Sequence, residues 1–326
     1  MDAWEPPYRD TIHAMLLLAD DDEARLSATL DQVRRSADGA VVKLTTERGR
    51  KLRKDFPRGR LDIEHFGFQD GVSQPLMIKQ DAETEMALRG HEHWDPSAPL
   101  SLAFTADQAG GFGSFMVFRK LEQNVAGFRA ALAALAAQSG RSVGEVGAMA
   151  VGRHEDGTPA VPTTTSDPVG ANDFAFAAQD PSGARCPFHA HIRKTNPRGD
   201  AGLAFERTRR IVRRGITYGE RPDLADGATT EPPSTGVGLL FQCFQANLDQ
   251  FAIQQEGSDD NNFFPGGVGP DAVIGQNPAP VPQHWPSGGT VTFTIANFVT
   301  MLDGEYLYAP SMAFLRGLKT TDGDQT

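Results

Sequence analysis

RCPFHAHIRKTNPR, residues 185–198, is followed ten residues later by RRIVRRGITYG, residues 209–219. Two histidines, His189 and His191, stand two apart ahead of a dense run of arginines. Residues 185–221 hold ten Lys or Arg against three acids (Asp200, Glu206 and Glu220), within a 326-residue chain of net charge −11. A cationic segment in an acidic protein calls for a local anionic partner. Attraction to nucleic acid would need the surface as a whole to be basic, so that class is set aside.

An imidazole among guanidinium groups is the combination a haem requires, a nitrogen for the iron and cations for its two propionates. At residues 186–198 the chain also matches Cys-Pro-x-x-Ala-His-x-Arg-x-x-Asn-Pro-Arg throughout, and Gly67-Phe68-Gln69-Asp70-Gly71 far upstream matches Gly-x-x-Asp-Gly. GLLFQCFQ at 238–245 and GEYLYAPS at 304–311 follow in order. In these motifs the chain resembles the dye-decolorizing peroxidases, and the longer bacterial and fungal members in particular. The resemblance implies a haem b peroxidase that reduces hydrogen peroxide and oxidises dyes, phenolics or similar small aromatic reductants. A haem-binding or haem-iron handling protein without peroxide turnover is the alternative.

Composition agrees with a folded protein of one large or two smaller domains: 39% of residues are hydrophobic and 22% charged, enough for a core. The apolar run at 14–19 is too short to span a bilayer and has no basic leader, so no membrane association and a cytoplasmic location are expected. Two cysteines, Cys186 and Cys243, make no disulfide framework. A homo-oligomer is compatible with all of this.

Along the chain, an apolar run at 11–19 reads as a strand, an acidic cluster at 20–23 as a helix start, and Leu26, Leu30 and Val33 as the stripe of that helix. Further strands are expected at 40–46, 62–67, 114–118, 237–244, 290–294 and 305–308. Helices are expected at 121–137, 141–151, 247–255 and 310–318, with 80–112 running over the surface and 257–283 a loop. The composition change at 154–182 marks a linker between a module at 1–153 carrying the Asp70 loop and one at 183–326 carrying His191. This α+β pattern fits two ferredoxin-like modules with antiparallel sheets. The resemblance implies the same architecture, of the dimeric α+β barrel type, with haem between the sheets.

Each site residue has a role to test. His191 is the expected iron ligand; His189, two residues away on the same strand face if the run is extended, would need a third ligand to make a metal site, and is expected beside the pocket. Asp70 is the expected distal acid/base: peroxide cleavage needs one group to take a proton and return it. An ordinary Asp titrates near ~3.9, which predicts an acidic optimum. By itself an Asp between glycines is as well explained as a turn residue. Alignment with the family points to Arg213, rather than the adjacent Arg214 on the opposite strand face, as the guanidinium that stabilises charge as the O–O bond breaks. Arg198 is expected on a propionate, with Asn196, Ser73, Gln74, Pro75 and Gln245 around the cofactor. Position in the family pattern offers Asp271 first and Glu256 second as the acid behind His191. Trp94, Trp285, Tyr218, Tyr306 and Tyr308 are candidates to pass electrons, and the sequence does not choose among them.

Overall fold

The structure, a computed structural model, describes residues 4–57, 59–162, 172–225, 228–259, 268–276, 283–286, 290–295 and 297–318. In chain order its helices are α1 (Glu23–Ala37), α2 (Lys79–Arg89), α3 (Val125–Ser139), α4 (Val143–Val151), α5 (Phe176–Gln179), α6 (His191–Thr195), α7 (Leu203–Arg207), α8 (Asp249–Asp259) and α9 (Met312–Gly317). The strands are β1 (Leu52–Phe56), β2 (Gly59–Ile63), β3 (Thr105–Ala106), β4 (Phe112–Gln123), β5 (Val212–Arg213), β6 (Ile216–Tyr218), β7 (Gly238–Gln245), β8 (Gln283–Pro286), β9 (Thr290–Phe293) and β10 (Val299–Ala309).

Six strands form one antiparallel sheet along the path β10-β4-β7-β5, with β3 added to β4 and β6 to β7. Long β4 is its spine, so strands from early and late sequence share one ladder. The register sets Arg213 opposite Cys243, Cys243 opposite Val117 and Val117 opposite Tyr306. Directly paired residues point to the same side, so these four side chains share one face, with Gln245 two residues beyond Cys243.

Local signals set the helix ends. Asp22 caps α1 by accepting from the amides of Ala24 and Arg25. A reciprocal Ser142/Glu145 pair opens α4, and Gly140 ends α3 with φ +67°. The largest core packs Phe128, Leu132 and Leu135 of α3 and Val146 and Met149 of α4 on Phe66, Phe68, Trp285 and Ile295. Phe66 and Phe68 thereby anchor the turn that leads to Asp70. A second cluster (Val161, Phe174, Phe176, Cys186 and Ala190) seats the segment that enters α6.

The strands expected at 11–19 and 40–46 are not formed, and Leu16, Leu17, Val41, Val42 and Leu44 are exposed. Apolar β-type residues make a strand only with a neighbour in register, and neither run has one among the described residues. Met15 reaches the sheet, against Met116, Phe118, Tyr218 and Leu240. The strand expected at 62–67 lies earlier, as the β1–β2 hairpin. The segment taken for surface excursion contains α2 and the short β3.

Candidate active site

The Asp70 loop is built from turns that need positive φ: Gly67 at +106°, Gly71 at +76° and, unusually for a side-chain-bearing residue, Ser73 at +67°. Glu64 braces its base, accepting from the amides of Phe66 (2.9 Å) and Phe68 (3.0 Å) and from Gln123 Nε2 (2.7 Å). Burial nevertheless pushes the Glu64 carboxyl pKa up. The Asp70 amide donates to Asp62 O (3.0 Å), and its Oδ1 accepts from Gly71 N (2.6 Å). Downstream, Arg213 Nη2 donates to Val72 O (3.0 Å) and its backbone N to Gln74 Oε1 (3.2 Å). Arg198 Nη2 donates to Ser73 Oγ (2.9 Å). The loop is therefore latched to both arginines singled out in the sequence; Pro75 follows it, partly buried.

His191 is the first residue of α6, and its Nδ1 lies 2.9 Å from Asp271 Oδ2. The Asp271 side chain is fully buried, whereas that of His191 is 27% exposed. Its other oxygen, Oδ1, accepts from the amides of Val273 (2.7 Å) and Ile274 (3.0 Å). A carboxylate so fixed places the imidazole proton on Nδ1 and leaves the Nε2 lone pair for a ligand. Of the two acids the sequence offers, Asp271 is the one on His191. His189 is a core residue instead: it is buried, its ring meets Trp285 edge-on at 4.4 Å, and burial pushes its pKa down to about 3, so it stays neutral.

Arg198 sits in the left-handed region (φ +48°) and is buried. Its Nη1 donates to Asn172 O (2.6 Å) and Phe174 O (3.1 Å), and Nη2 also donates to Asn172 Oδ1 (2.6 Å). Among the described residues its Nε has no partner, nor have those of Arg209 and Arg210. Arg209 and Arg210 line a cavity of about 30 Å³ with Asn196, Lys194 and Glu206 beside the end of α6. Burial lowers the Arg198 pKa well below its ordinary value. Gln245 is fully buried; its Oε1 accepts from Cys243 Sγ (3.2 Å), and among the described residues its Nε2 has no partner. Separate hydrogen bonds thus tie one loop, residues 70–75, to Arg198 through Ser73 and to Arg213 through Val72 and Gln74, while the Asp70 carboxylate bonds within the loop, to Gly71 N, and His191 pairs with Asp271.

These donors fit a haem. A free imidazole nitrogen suits the iron, and buried guanidinium nitrogens without partners suit carboxylates. Among the described residues no cluster of three or more His, Cys, Asp or Glu is placed to hold a bare metal ion, so the His189/His191 pair lacks a third ligand.

Relatives decide the family. The chain is 41% identical to the multifunctional dye peroxidase DyP2 of an Amycolatopsis species, over 97% of this chain and 73% of that protein. The chain belongs to the dye-decolorizing peroxidases. Peroxidase 2 of Mycetinis scorodonius is 33% identical over 96% of this chain and 67% of its own length. Among solved structures, the DyP-type peroxidase of an Anabaena species superposes with a TM-score of 0.86 at 36% identity, covering 97% of this chain and 70% of that one. The Amycolatopsis DyP2 structure gives 0.86 at 40%, covering 97% and 74%. No family model matches the chain. As a dye-decolorizing peroxidase it has the ferredoxin-like α+β fold and is a haem-dependent enzyme acting on hydrogen peroxide and reducing substrates, as the motifs led one to expect. Among the described residues no helix is long and apolar enough to cross a membrane.

Proposed function

We propose that the cofactor is haem b, held by His191 Nε2 at the iron, by Arg198 and Asn196 toward its carboxylates, and by Ser73, Gln74, Pro75 and Gln245 around its edge. When bound, the haem supplies the oxidising chemistry. Asp70 takes a proton from one peroxide oxygen and returns it to the departing one, a relay that needs a single carboxylate within reach of both. Arg213 holds its guanidinium toward the charge that develops as that oxygen leaves. Electrons come from small aromatic reductants such as phenolics and dyes. The catalytic halves correspond to modules at 1–153 and 183–326, in a cytoplasmic enzyme able to self-associate.

The observation that carries this reading is the double latch of residues 72–74 onto Arg213 and Arg198. It ties the proton-handling loop to the two cations assigned to the departing oxygen and to the cofactor's carboxylates. Asp70→Asn and Asp70→Ala test it directly. Peroxidase turnover should fall by roughly 10²–10⁴, the share of a positioned acid/base, with haem content unchanged. Unchanged turnover in both variants rejects Asp70 as the proton carrier.

A further inference from the structure

Trp94 is buried, and two guanidinium groups lie over its indole, with Arg198 Cζ at 4.1 Å and Arg210 Cζ at 4.2 Å from the ring centre. A buried cation (Arg198) and a partly buried one (Arg210) on one ring would ordinarily be neutralised by acids. Here the acids nearby are already engaged. Asp173 accepts from the amides of Glu92 (3.0 Å), His93 (2.7 Å) and Trp94 itself (2.8 Å). Glu206 accepts from the amides of Gly199 and Ala201. Asp95 pairs with Arg207 at 2.8 Å. Among the described residues neither Arg198 nor Arg210 has a carboxylate within ion-pair distance.

What Arg198 and Arg210 do have is carbonyl oxygens, one hydroxyl and π faces. Arg210 Nη1 donates to Asp95 O (3.0 Å) and Ser97 O (3.1 Å), and the Phe174 ring centre lies 3.8 Å from Arg198 Cζ. Such groups stabilise a cation without cancelling its charge. The field survives for an anion, and the unpartnered Nε atoms of both arginines are donors still to be used.

We propose that Trp94 is a positioning residue for the carboxylates of the cofactor: its indole holds Arg198 and Arg210 as a charged pair that no protein acid neutralises. This rests on the haem reading above and adds Arg210 and Trp94 to it. The Trp94 backbone serves the same end, because its amide helps to occupy Asp173, the acid that would otherwise compete.

The test compares hemin with hemin dimethyl ester, which lacks the anionic carboxylates, by Soret titration of the full chain produced without haem. Wild type should bind hemin more tightly than the ester. Trp94→Leu and Arg210→Met should each weaken hemin binding by about 10-fold, the scale of a desolvated cation–π contact, and leave ester binding within about 2-fold of wild type. Trp94→Phe, which keeps a π face, should recover most of the loss. Equal losses for both porphyrins, or no loss for hemin, overturn the role of Trp94 while leaving the haem reading intact. Wild type binding neither porphyrin would remove the haem reading and this inference together.

Discussion

Arg198 Nη2 donates to Ser73 Oγ at 2.9 Å, joining positions 125 apart in the chain. Both residues sit at positive φ, +48° and +67°, where side chains other than glycine are strained. The contact thus holds two strained backbones in place and couples the Asp70 loop to the segment after α6. Ser73→Ala leaves a buried guanidinium donor unpaired and should cost about 1–3 kcal/mol in chemical denaturation. Ser73→Gly loses the same bond but relieves the backbone and should be milder than Ser73→Ala. Equal stability of Ser73→Ala and wild type would show that the contact contributes nothing.

Asp271 should govern the haem ligand. Asp271→Asn keeps shape but removes the charge on the carboxylate that His191 Nδ1 meets at 2.9 Å. Loss of such a partner commonly costs ~10–100-fold in metal affinity or activity. Hemin dissociation, followed by transfer to an acceptor globin, should therefore be faster in the variant. Dissociation at the wild-type rate, with unaltered turnover, would mean that the pair does not tune the ligand.

Arg213→Lys separates charge from geometry. Lysine keeps a cation but cannot reproduce a fixed guanidinium that donates to Val72 O. Turnover with peroxide should drop by roughly 10²–10³, the usual cost of one preorganised donor. Arg214→Lys, by contrast, should be nearly silent, since the Arg214 side chain is exposed and, among the described residues, donates only to Arg213 O. Equal effects of the two substitutions would reverse the assignment.

Two buried groups set opposite pH dependences of stability. Asp303 is buried, and burial pushes its pKa up to about 6. The folded state therefore binds a proton more tightly than the unfolded chain. Its contribution favours folding most at low pH and is lost as pH rises from about 4 to about 6, some ~3 kcal/mol in all. His65 has the opposite sign. Burial pushes its pKa down to about 4, so stability present above pH ~6.5 is lost as pH falls toward 4. Asp303→Asn should make the protein more acid-sensitive, and His65→Gln more alkali-sensitive, when urea midpoints are compared between pH 4 and 7. Parallel profiles for all three proteins would contradict both assignments.

Much of this was legible in the sequence because its carriers are local. The Asp22 cap, most of the α3 stripe (Val125, Phe128, Leu132 and Leu135) and the long β7 run are all written in neighbouring residues, but Leu121, read as the first residue of that stripe, belongs to β4. The 186–198 and 67–71 motifs carried the family. What spacing could not supply was pairing across the chain. The runs at 11–19 and 40–46 have strand chemistry but no ladder, and the β1 hairpin, with charged Arg53, Lys54 and Asp55 in its first strand, has a ladder without an obvious apolar alternation. The site behaves likewise. Only position in the family pattern points to Asp271 behind His191, since 80 residues separate them. The pairing of Trp94 with Arg198 and Arg210 leaves no mark in sequence spacing, because one ring shared by two cations is a three-dimensional feature.

The most direct test of ligation by His191 is the absorption spectrum of hemin-loaded His191→Gly, recorded without and with added imidazole. The account predicts that the wild-type Soret band and peroxide reactivity are lost in the variant and return, at least in part, when imidazole enters the space left by the side chain. A variant whose spectrum and peroxide reactivity matched wild type with no imidazole present would contradict it.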